Sequence, residues 1–160
     1  MNWFHPLGGP VLLLPKAIAP KWRGQDPEQG FTRFYEAVVA GLGEDAWVGL
    51  DIGGLALADS GPIGVAELDD GLRFVISIKA TSPSRAHKEG EAAEVEPTGK
   101  QIPWPGGEGL MFDAIENGAT LDGGLTEPLQ MSLPAGALDV YVGTVEDKGL
   151  ELVVIEVRGG

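Results

Sequence analysis

The 160-residue chain sets 11 Lys and Arg against 24 Asp and Glu, a formal net charge of −13, and contains no Cys. Disulfides and thiolate metal sites are thereby excluded, and so negative a chain is a poor partner for nucleic acid, whose phosphates are bound by Lys and Arg. A hydrophobic content of 43 % is too high for a disordered acidic tail, and the length suits a single domain over residues 1–160.

The first apolar run, Val11-Leu12-Leu13-Leu14, follows Gly8-Gly9-Pro10 and imitates the core of a signal peptide. No positive charge precedes it, and Pro15 and Lys16 cut it far short of the roughly 7–15 residues such a core needs. Nowhere does the chain reach the roughly 18–20 apolar residues of a membrane-spanning helix. The expected location is the cytoplasm, with no membrane partner. Asp26-Pro27-Glu28 has the form of a helix start, with an N-cap, a first-turn proline and an acid near the positive end of the helix dipole. Phe31, Phe34, Tyr35, Val38, Val39 and Leu42 then recur at helical spacing until Gly41 and Gly43 end the run.

Gly53-Gly54 leads into a second apolar strand ending at Asp59. Leu72, Phe74, Ile76 and Ile78 alternate with Arg73, Ser77 and Lys79, the pattern of a half-buried antiparallel strand. Ser82-Pro83 opens a poorer helix running towards Val95, which Gly90 weakens by about 1 kcal/mol relative to Ala. Residues 98–109, rich in Pro and Gly, read as a loop carrying Trp104, and Gly107-Glu108-Gly109 leads into Leu110–Asp113. Leu129–Leu133 alternates again. Val140–Val145 and Leu150–Val157 flank Glu146-Asp147-Lys148-Gly149, which reads as a four-residue hairpin loop. The final strand is apolar on both faces and is expected at the centre of a sheet.

Segments 47–80 and 104–145 share a layout: a Trp, a glycine-led strand ending at Asp59 or Asp113, and later a second glycine-led strand. They read as two similar β modules. The fold class is α+β, mostly antiparallel sheet with one or two helices.

Chemistry is sparse. No phosphate-cradling loop or dinucleotide motif is present, so no cofactor is expected. His5 and His87, the two histidines, are too few for a His-rich metal site. His5 sits among aromatics and Pro6, and His87 among the charges of Arg85 and Lys88. Asp59 and Asp113 are the one pair to weigh for a carboxylate-based hydrolase, which needs two neighbouring acids of unequal pKa; ordinary turn chemistry competes with that role. The charge is uneven: residues 1–40 carry +1 and the next three quarters −5, −4 and −5. Asp69, Asp70, Glu89, Glu91, Glu94 and Glu96 read as solvated loops, or, if they face a basic protein partner, as its candidate contacts; Trp104 reads as a core plug or, in that same role, an aromatic anchor.

Trp3, the stretch from Gly8 to Pro15 and Trp22-Arg23-Gly24 resemble the opening of the bacterial immunity protein 21 family of polymorphic-toxin systems. The resemblance continues through residues 53–59, 109–113 and Leu133-Pro134-Ala135-Gly136. It implies a small cytoplasmic protein without catalytic residues that binds and neutralises one cognate toxin. Occlusion of a basic active-site cleft by an acidic face is the mechanism expected. An adaptor that loads a secreted effector without inhibiting it is the alternative binding role.

Overall fold

Apolar runs of period two, and others buried on both faces, dictate a fold made chiefly of antiparallel strands. The computed structural model describes residues 1–22, 25–26, 30–31, 33–43, 45–50, 53–58, 61–79, 82–116, 118–119, 121 and 127–159. In chain order the first strands are β1 (Asn2–Phe4), β2 (Val11–Pro15), β3 (Gln25–Asp26), β4 (Gly30–Phe31), β5 (Trp47–Gly49) and β6 (Leu55–Leu57). Helix α1 (Arg33–Leu42) precedes β5. There follow β7 (Ile63–Glu67), β8 (Gly71–Lys79), helix α2 (Pro83–Ala92), β9 (Glu96–Trp104), β10 (Gly107–Asp113), β11 (Leu129–Leu133), β12 (Gly136–Asp147) and β13 (Leu150–Gly159). The class is α+β, as expected.

The chain divides into two compact units, each gathered from separated stretches. The first holds Met1–His5, Ser60–Gln101 and Ala137–Gly160; the second holds Pro6–Asp59 and Ile102–Gly136. Of the segments with a shared layout, β6 and β10 both flank β2, and β8 and β12 both flank β13, whereas β7 and β11 lie in different sheets. The compact units cut across those segments, each drawing strands from both.

The sheet of the first unit has the order β1-β7-β8-β13-β12-β9. Its last strand in sequence is central, as a strand apolar on both faces must be: β13 pairs antiparallel with β8 on one side and β12 on the other. Two local expectations are corrected. Asp147 pairs with Leu150, so the hairpin turns on two residues, Lys148 and Gly149, rather than four. Both have positive φ, +32° and +81°, the sign that matches the right-handed twist of the paired strands. Ile78 also leaves the face it was expected to share with Leu72, Phe74 and Ile76. Leu152 pairs with Ser77 and Glu151 with Lys79, which makes Ile78 the extra residue of a bulge and leaves it 40 % exposed.

The second unit is built around β2, whose Val11, Leu12, Leu13 and Leu14 are all buried, in the order β11-β10-β2-β6-β5. Leu12, Leu14, Trp22, Phe112 and Ala114 form its core with Val38 and Leu42 of α1. The Trp22 indole donates to the Ala114 carbonyl at 2.8 Å. Here too the sequence misleads at two places. Asp26 is not a helix cap, because it pairs with Gly30 in a two-stranded ribbon and α1 begins only at Arg33; Pro27 and Glu28 lie outside the described residues. Asp-Pro serves a turn as well as a helix start, so local chemistry alone does not separate the two. Residues 98–104 are not a loop but most of β9, an edge strand, where Pro97 and Pro103 are tolerated because an outward-facing N–H has no ladder partner to lose.

Candidate functional site

The acidic stretch from residue 89 to 96 is carried by α2 and the start of β9. Ser82 caps the helix, its Oγ accepting from the Arg85 amide at 3.2 Å, and Pro83 occupies the first turn. Ten residues of this composition make a marginal helix in isolation, and only Ala86 and Gly90 are buried. Gly90 is not the weakness it looks in the sequence. A Cβ there would stand 2.7 Å from both Val75 methyl carbons, so glycine is what lets α2 lie this close to β8. Beyond the helix, Gly143 does the same for the following segment, since a Cβ on it would come within 2.1 Å of the Glu94 carbonyl oxygen.

Two arginines bind α2 at its ends. At the start, the Arg85 guanidinium donates to the Lys148 carbonyl at 2.9 Å and the Asp147 carbonyl at 3.1 Å, with the Asp147 carboxylate 3.3 Å away. At the finish, Arg73 reaches up from β8. Its Nη1 donates to the carbonyls of Gly90, Glu91 and Ala93 at 2.9, 3.0 and 2.9 Å, which satisfies oxygens a helix end leaves open. The other edge of the same guanidinium holds Glu156 of β13, Nε and Nη2 meeting Oε2 at 2.8 and 2.6 Å. Glu156 is 1 % exposed, and its Oε1 accepts from Arg158, whose guanidinium lies 4.7 Å from the centre of the Tyr141 ring. The Glu156 hydrogen bond raises the Arg158 pKa further, so that guanidinium stays charged.

Sequence reasoning missed this cluster, although one signal was available. Glu156 is the lone acid between Ile155 and Val157 of a strand apolar on both faces, and a carboxylate so placed must find cationic partners. Arg73, on a facing strand, was its natural match.

The exposed acids are distributed around this frame. Glu91, Glu94 and Glu96 are exposed and Glu89 is half-buried; Glu91 also meets His87 Nε2 at 3.0 Å, one helical turn earlier. Asp69 and Asp70 are exposed in the β7–β8 turn. The Asp70 carbonyl accepts from the Gly159 amide, which fixes that turn at the end of β8 bearing Arg73. Trp104 is placed differently. Only 2 % exposed, it donates its indole N–H to the Gly107 carbonyl and packs within the second unit, so it presents no aromatic surface to a partner.

Asp113, one of the two acids weighed for hydrolysis, is fully buried at the end of β10. Its Oδ2 accepts from the Leu7 amide at 2.6 Å and its Oδ1 from the Ile115 amide at 3.0 Å. Burial raises its pKa, outweighing the amides of Ile115, Leu7 and Gly9 that pull the other way, and nearby Glu116 adds to the rise. The carboxylate is thus committed to joining the segment that leads into β2 to the turn that leaves β10. Asp59 lies outside the described residues. His5 is exposed. Among the described residues no three His, Asp or Glu side chains group as a metal site requires, and no helix is long and apolar enough to cross a membrane.

A scan against protein-family models gives no match, and searches of curated proteins and of solved structures give none either. The likeness to immunity protein 21 therefore rests on the sequence motifs alone.

Proposed function

We propose that this chain acts by binding another protein through the acidic surface of α2 and the start of β9, and that the partner is a toxin with a basic cleft, which it neutralises in the cytoplasm. The observation that carries the reading is the fixed setting of the acids. Glu91, Glu94 and Glu96 stand exposed on a segment tied to the sheet by Arg85 at one end and Arg73 at the other. Carboxylates held this way attract a basic surface without first having to be ordered. Charge steering of that kind raises association rates and selects partners. The commitment of Asp113 to backbone amides supports binding over carboxylate catalysis, because an acid buried against three peptide groups has no open face for a substrate.

The test is co-expression with the product of the adjoining reading frame. The wild-type chain should rescue growth, and Glu89, Glu91, Glu94 and Glu96 changed together to Lys should slow association by about ten-fold or more and abolish rescue. Binding that persists without rescue marks an effector-loading adaptor instead. Association that ignores both the substitutions and the salt concentration refutes the acidic surface.

A further inference from the structure

The Arg73 guanidinium faces two ways. One edge is seated on a carboxylate buried in the sheet, and the other closes over three carbonyls where α2 ends. Apart from Arg85 at its start, the helix is held by little buried surface: its buried residues are an alanine, packed against Val75, Leu150 and Leu152, and a glycine. Glu156, in contrast, has a second cationic partner in Arg158, so it keeps a countercharge when Arg73 is removed.

We infer that Arg73 and Glu156 form a clasp on which the seating of α2 depends, and that α2 leaves the sheet as a separate unit when the clasp is broken. The sheet does not need the helix in order to persist, because β13 is joined to β12 and to β8 by long antiparallel ladders, the second of them broken only by the bulge at Ile78. Segments with few buried apolar contacts are the ones that open below the cost of global unfolding. A lysine at position 73 restores the charge beside Glu156 but not the clasp. Its single ammonium nitrogen cannot take the carboxylate on one edge and three carbonyls on another, as a planar guanidinium does.

Hydrogen exchange of the free full-length chain tests it, read in peptides covering α2, β8 and β13. Arg73→Gln and Arg73→Lys should each speed exchange in α2 by about ten-fold or more and leave β8 and β13 as in the wild type. Arg85→Gln, which frees the other end, should speed exchange chiefly in the first turn. Wild-type protection of α2 in the Arg73 variants overturns the clasp, as does a parallel loss of protection in all three elements. A chain that fails to fold with Gln at 73 while keeping α2 fully protected with Lys there overturns it too. No partner enters the measurement, so its failure leaves toxin binding to be judged separately, and a failed rescue assay says nothing against the clasp.

Discussion

At Gly90 two residue-level effects oppose each other. Alanine is the better helix former by about 1 kcal/mol, yet its methyl would collide with Val75. Overpacking of this kind costs about 1–3 kcal/mol, so Gly90→Ala should lower the urea midpoint despite its higher propensity. Combined with Val75→Ala it should cost less than the two single changes summed, and a double-mutant cycle reads that coupling. Asp113 gives a second test. Asn in its place keeps one acceptor and turns an N–H against an amide it formerly accepted from, at a cost of about 1–3 kcal/mol. The folded chain binds the Asp113 proton more tightly than the unfolded chain, whose value is near the ordinary 3.8. Its contribution to stability is therefore full in acid below that value and is lost as the pH rises through the raised one. The wild type's advantage over Asp113→Asn should accordingly be larger at about pH 4 than at about pH 7, measured as the difference in urea midpoints.

Element by element, strands were legible where apolar residues run or alternate without interruption, the short edge strand β11 included, and obscure where prolines and glycines break the pattern. The apolar runs of β2 and β13 and the alternation of β8 follow from residues 11–14, 150–157 and 72–76. The strand β9 does not, because Pro97, Gly99 and Pro103 carry the signature of a loop, and only an edge position makes them compatible with pairing. The β12–β13 hairpin was visible but its turn was not. Lys148 and Gly149 adopt the two positive φ values that Asn-Gly prefers. Lys148→Asn should therefore stabilise the chain by about 1 kcal/mol, seen as a rise in thermal midpoint, and should leave the Arg85 contact intact, since that contact uses the backbone carbonyl.

For the whole molecule the governing quantity is the net charge of −13. Like charges on a compact chain repel, and salt relieves them: the screening length falls from about 30 Å at 10 mM to about 8 Å at physiological ionic strength. Folding and binding should then respond with opposite sign. Over that range of NaCl the thermal midpoint should rise while association with a basic partner slows, the first read by calorimetry and the second by stopped-flow mixing. A partner that binds through apolar surface would leave the second rate unchanged.

The fold class, most of the buried strands and the sign of the molecule's field can be read from residue order alone. Those follow from short periodicities and a charge count, and both survive without knowledge of distant contacts. The contacts that become visible only in the folded chain join residues far apart in it. Arg73 reaches Glu156 across 83 positions and Leu7 reaches Asp113 across 106. The packing of Val75 turns Gly90 from a helix weakness into a requirement. Such pairings depend on which strands become neighbours, and no local pattern records that choice. A charged side chain in an apolar strand shows that a partner must exist; only the assembled sheet shows which one.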